Sequence, residues 1–65
     1  MKYKVGDVFK WIYHMEEYDD TRIYTIVSAD EDGYRFDKDP SHFSDKNLED
    51  TRFWKLIKKK RSLRL

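Results

Sequence analysis

Ile23-Tyr24-Thr25-Ile26-Val27-Ser28-Ala29-Asp30-Glu31-Asp32-Gly33-Tyr34-Arg35-Phe36 is the stretch that decides the fold. Residues 23–27 are all β-branched or aromatic, the types that fit a pleated, half-buried surface. Asp32-Gly33 supplies a turn, because glycine takes positive φ without a Cβ clash. Beyond it Tyr34 and Phe36 fall on one face and Arg35 on the other, the period-2 signature of a strand. The stretch therefore reads as a hairpin. A hairpin alone is at best marginally stable in water, so the rest of the chain must cover it.

Working outward, the N-terminal side begins with a turn at Val5-Gly6-Asp7. The alternation that follows predicts a strand over 8–14, with Phe9, Trp11 and Tyr13 on one face. Residues 15–20 read as an acidic loop. On the C-terminal side residues 37–41 read as loop, because Pro40 has no N–H and disfavours a helical residue before it. Ser44 is placed to cap a short helical turn over 45–50, with Asp45 favourable at its positive end and Leu48 pointing to the core. Residues 51–57 read as the last strand, with Trp54 in the core. Four strands, one helical turn and short connections predict an all-β fold, a small, strongly bent antiparallel barrel over 1–57. Residues 58–65 then form a basic tail.

The chain of 65 residues is one domain by length. It has no cysteine, which excludes disulfides and Cys-based zinc sites and suits a reducing cytoplasm. Four Phe, five Tyr and two Trp supply the core instead. No apolar run approaches the roughly 20 residues of a membrane span, and no signal-peptide core follows Met1. Charge is divided unevenly. Residues 1–54 hold eight basic and thirteen acidic residues, a formal −5, while 55–65 hold six basic and no acidic ones, a formal +6.

The order of these elements resembles the Src-homology-type small barrels of short bacterial and phage proteins. The Val-Gly-Asp turn, the aromatic strand, the Tyr-Thr-Ile-Val strand, the acidic-Gly turn, the helical turn after a Ser and the terminal Trp-Lys-Leu-Ile carry the resemblance, over residues 3–57. It implies a phage or mobile-element protein that interferes with host machinery, as anti-defence proteins do. It does not imply binding of proline-rich ligands, since no clear paired-Tyr motif is present.

Chemistry is sparse. His14 and His42 are the only histidines, and with Glu16, Glu17, Asp37, Asp39 or Asp45 their spacing is irregular for a metal site. Asp30, Asp32 and Gly33 resemble the start of a calcium loop, but the closing Glu is missing and a hairpin turn explains all three. Two glycines make no phosphate-binding loop. Ser41 and Ser44 near His42 are no evidence of an activated nucleophile. No enzyme activity, cofactor or metal is expected.

Binding is the better reading. More rings are present than a domain this small can bury, and Tyr3, Tyr13, Tyr18, Tyr34 and Phe43 are expected at the surface. Tyr13, Tyr18, Tyr34 and Phe43, with Lys58, Lys59, Lys60 and Arg61, are therefore the candidate binding residues. Two readings follow. One is a non-enzymatic module, able to oligomerise, that regulates or inhibits a host or phage protein, with sequestration of a nucleotide signal as a refinement. The other is a nucleic-acid-binding protein whose tail contacts phosphates while its rings stack on bases. The tail reads equally as a solvated terminus, or as an extension of the last strand through Leu63 and Leu65.

Overall fold

The structure, a computed structural model, describes residues 2–14 and 22–60. Within them the chain forms β1 (Val8–Trp11), β2 (Ile23–Asp30), β3 (Gly33–Phe36), β4 (Asp39–Phe43), α1 (Asp45–Glu49) and β5 (Trp54–Lys58). The strands make one five-stranded antiparallel sheet in the order β4-β3-β2-β1-β5.

The central hairpin forms where the β-branched run ends and Gly33 begins. Asp30 pairs with Gly33, whose φ is +116°. The Asp30 carboxylate accepts the Asp32 N–H at 2.9 Å and braces the turn. In β2 the register shifts between Ile26 and Ser28. The extra residue, Val27, is exposed, and the shift lets Ile26 and Ala29 both serve the core although they are three apart. Such bulges bend a strand. Two more register shifts, in the β1/β5 and β3/β4 pairs, add to the bend.

The core is Tyr3, Phe9, Ile26, Tyr34, Phe36, Leu48 and Trp54. Trp54 is its hub. Its ring meets those of Phe9, Trp11, Tyr24, Phe36 and Phe43 at centroid distances from 4.9 to 6.2 Å. All but the Phe36 contact are edge-on, the geometry that ring quadrupoles favour. Phe43 lies in β4 and Trp54 in β5, the two opposite edges of the sheet. Flat, five strands would set those edges about 19 Å apart; the 5.5 Å contact of their rings shows how far the sheet bends.

The bend does not make a barrel, and the sequence-based expectation of one is corrected here. Among the described residues β4 and β5 do not pair, so the sheet stays open. The reason lies in what stands between the edges. α1 packs against both β4 and β5. Pro40 on β4 has no N–H to offer a ladder. The Trp54 N–H, on β5, is already given to the Asp50 carbonyl at 3.0 Å.

Element boundaries differ in three places. β1 stops at Trp11 rather than residue 14, because His14 takes φ +52°, outside the strand region. The segment read as loop around Pro40 is β4. It tolerates proline because it is an edge strand whose pairing with β3 is irregular there. The last strand starts at Trp54, since 51–53 are a turn. The helical turn is as expected. Ser44 and Asn47 form a reciprocal capping box at 3.1 and 2.9 Å, and Leu48 is buried.

Polar ties fasten the ends of the chain. Asp7 is fully buried (0 % exposed), and its carboxylate accepts the Lys4 N–H at 3.1 Å and the Lys60 N–H at 2.7 Å. Its main chain continues the sheet, accepting the Ile26 N–H at 2.9 Å. Gly6, at φ +100°, lies so close to the Lys60 side chain that a Cβ would stand 2.4 Å from Lys60 Cδ. Lys58 is thus the last residue of β5 and Lys60 is anchored by its backbone. No helix of the described residues is long and apolar enough to cross a membrane.

Candidate functional site

The rings that the core leaves over gather at one place. Trp11 ends β1, Tyr13 and His14 follow it, and Phe53 precedes β5. The Ile12 N–H donates to the Phe53 carbonyl at 2.8 Å, which holds the two segments side by side. Trp11 stacks on Phe53 (5.6 Å, 18°), Tyr13 leans on Phe53 at 4.8 Å, and His14 meets Tyr13 edge-on at 4.2 Å. Tyr13 stays 45 % exposed; Trp11 and Phe53 are half-buried.

Beside this cluster a groove of about 350 Å³ runs between the start of β5 and the β4–α1 corner. Trp11, Phe53, Phe43 and Trp54 give it apolar walls and floor, while His42, Lys46, Asn47 and Asp50 give it polar groups. The capping box sets the start of α1 and holds the Asn47 side chain, and Lys46 lies beside it on the rim. Asp50 is gripped by Arg52, with Nε at 2.9 Å from Oδ1 and Nη2 at 2.7 Å from Oδ2. That hydrogen bonding holds the Asp50 carboxyl below its usual range and raises the Arg52 guanidinium. The same guanidinium lies 5.2 Å from the Phe53 ring centre. The trough combines apolar walls with a few polar groups, the make-up of a small-ligand or peptide pocket.

The candidate residues divide. Phe43 lines the groove, although it is half-buried against Phe36 and Trp54 rather than free at the surface. Tyr13 flanks the groove through Phe53. The expectation that Tyr34 lies at the surface is corrected: it is 1 % exposed and part of the core. Its hydroxyl accepts the Tyr3 N–H at 2.9 Å and donates to Asp45 Oδ1 at 2.5 Å, so the polar tip is satisfied without water. Burial, then the hydrogen bond to Asp45, raises its phenol above the ordinary range. Tyr3 is buried for a similar reason, its ring set edge-on against Phe9 and Tyr34, and burial raises its phenol too. Lys58, Lys59 and Lys60 are exposed at the far end of β5 from the rings. Tyr18, Arg61 and the acidic loop lie outside the described residues.

Sequence reasoning did not single out Trp11 and Phe53, which line the groove side by side. It also missed a pairing of His42 with Asp30 and Asp32, whose ligand atoms lie within 4.8 Å of one another. All three are exposed, and Asp30 already accepts the Asp32 N–H, which is what a hairpin turn requires.

Comparison with protein-family models, with curated proteins and with solved structures finds no match. The resemblance to Src-homology-type barrels is therefore corrected on two grounds, the open sheet and the missing match, and the phage and anti-defence setting it implied falls with it.

Proposed function

We propose that this chain is a non-enzymatic binding module that holds a segment of a protein partner in the groove between Trp11, Phe53 and Phe43, and that it works in the cytoplasm. The observation that carries the reading is the aromatic cluster itself. A domain with a core this small leaves Tyr13 nearly half exposed and Trp11 and Phe53 half-buried around a trough, where aromatic anchors give binding energy. The Cys-free composition suits a reducing compartment.

The nucleic-acid reading is weaker. It needs a basic stripe that joins the rings to the tail. The rings sit at the start of β5 and Lys58–Lys60 at its end, roughly 13 Å of strand away, with Lys55 alone between them on β5.

Peptide display on the immobilised protein, followed by NMR titration of the enriched peptides, tests the proposal. The expected result is movement of the Trp11 indole N–H signal and a loss of about tenfold in affinity for Tyr13→Ala or Lys46→Glu. Peptides that leave Trp11 unmoved, or movement of that signal only by nucleotides or oligonucleotides, would overturn it.

A further inference from the structure

The second edge of the sheet carries a different kind of surface. β1 holds one side of β5, and among the described residues no strand holds the other. The parity of the ladder tells which backbone groups are left over. The Ile12 N–H donates to Phe53, so Ile12–Phe53 is a hydrogen-bonded pair, and two residues on Lys10–Lys55 is the next. Trp54 and Leu56 therefore turn their N–H and C=O away from β1. Trp54 agrees, since its N–H goes to Asp50 instead. Leu56 is the residue whose outward N–H and C=O stand at the middle of the open edge.

Alongside β5 and α1 lies a groove of about 600 Å³, with Tyr3, Ile12, Leu48, Trp54 and Leu56 as its apolar lining. Glu49, also there, is neutralised by Lys2 at 2.7 Å. The strand itself exposes Leu56 (38 %) and Ile57 (44 %) between Lys55 and Lys58. Lys59 and Lys60 continue the basic run, and the Lys60 backbone is pinned to Asp7, so the run starts from a fixed point.

The two edges of the sheet are unlike. β4 is blunted by Pro40 and an irregular register. β5 pairs regularly with β1 from Trp54 to Leu56 and shifts register only beyond it, at Ile57; it keeps exposed apolar side chains, and among the described residues lysines flank them. Lysine repels a second copy of this strand, because pairing two β5 edges lines the lysines of both along one seam. It does not repel a strand of opposite charge.

We propose that β5 accepts an extended acidic segment of a protein partner as a sixth strand. The main chain of Leu56 supplies hydrogen bonds, the groove beside it takes alternate apolar side chains, and the lysines pair with the acidic ones. This surface adjoins the aromatic groove at Trp54, which lines both, but its hydrogen bonds come from Leu56 and its charges from the lysines of β5, which the aromatic groove does not use.

The test uses the full chain, isotope-labelled, and three probes: a capped ten-residue peptide alternating Glu and Val, the same peptide with Lys for Glu, and a ten-nucleotide oligothymidine. The Glu–Val peptide is expected to shift the β5 amides and, at ten times its Kd, to slow exchange of the Leu56 amide about tenfold. The Lys–Val peptide is expected to do neither. The double variant Lys55→Glu with Lys58→Glu, checked for fold by circular dichroism, is expected to reverse that preference. Leu56→Pro removes the outward donor, and since its own amide is gone the readout is the remaining β5 amides, which the Glu–Val peptide is then expected to leave unshifted. The proposal is overturned if neither peptide shifts β5, if both bind equally, if the oligothymidine alone binds there, or if sedimentation shows β5 occupied by a second copy. Since the readout is Leu56 and not Trp11, a failure here leaves the aromatic groove untouched.

Discussion

Replacing Asp7 by alanine removes the acceptor for two main-chain N–H groups while leaving Asp7's own main-chain bonds in place. An orphaned buried donor costs about 1–3 kcal/mol. Both bonds are partly buried rather than sealed, so water softens the loss and about 1.5 kcal/mol each is the fitting figure. The sum, about 3 kcal/mol, is comparable with the roughly 3–5 kcal/mol that one core supplies to a domain of this size. Asp7→Ala is therefore expected to lie near the unfolding midpoint in buffer. Asp7→Asn keeps one acceptor oxygen and turns an amide toward the other N–H, so it should lose about half as much. With a urea m-value near 1 kcal/mol/M, that is a midpoint shift of about 1.5 M. A cycle isolates the Lys60 bond. In a chain ending at Lys59 that donor is gone, so Asp7→Ala should cost about 1.5 kcal/mol less there than in the full chain. An Asp7→Ala midpoint within about 0.3 M of the parent would refute the reasoning. So would strict additivity of the two changes, because the bond would then not be holding the end of the chain.

Trp54→Ala removes the hub of the ring cluster and is expected to cost about 3–5 kcal/mol, read as loss of the folded baseline in circular dichroism. Tyr34→Phe strands the buried Tyr3 N–H and should lower stability by about 1–3 kcal/mol in urea melts. The Tyr34 phenol is raised in the fold, so its contribution is complete below the unfolded value near 10 and fades as pH rises through the folded one. Parent stability should therefore fall above pH 10, and Tyr34→Phe should flatten that limb down to the shares of other groups raised in the fold, Tyr3 and Lys2 among them. At Gly33 a Cβ would meet the Phe43 carbonyl oxygen at 2.5 Å, so Gly33→Asn should be nearly as damaging as Gly33→Val in a thermal melt. Tolerance of Asn there would mean that only the φ of +116°, and not the packing of β4 on the turn, matters.

Local chemistry was legible in the sequence, and non-local geometry was not. The hairpin, the positive φ of Gly33, the Ser44 cap, Leu48 and Trp54 each follow from residues close together in the chain. β4 was hidden because Pro40 reads as a break unless the strand is known to be an edge. Tyr34 illustrates a second limit. Its alternation with Phe36 put it on the buried face, but its burial depends on partners 31 and 11 residues away, Tyr3 and Asp45. The aromatic site was legible only in part. Tyr13 and Phe43 stood out as rings in excess, whereas Trp11 and Phe53 become neighbours through the β1/β5 pairing, which no local pattern encodes.

The open sheet ties the stability of this fold to its surfaces. A closed barrel would satisfy the edges of β4 and β5 against each other and leave no strand to offer. Here α1 stands between the edges, and tertiary closure rests on rings and polar anchors. Phe43 reaches Trp54 across the gap. Tyr34 joins the N-terminal segment to α1, and Asp7 joins it to the segment after β5. The aromatic groove opens where the rings bridge the two edges. Among the described residues the basic edge strand has no second neighbour where the bridging stops, and Asp7 holds the segment that follows it. If that is the logic of the fold, loosening the Asp7 anchor should act on one surface before the other. Asp7→Asn, folded but weakened, should speed amide exchange in β5 from Lys58 back toward Leu56, while the Trp11 and Trp54 indole signals keep their parent positions. Uniform acceleration through the whole sheet would instead show that the two surfaces share one cooperative unit.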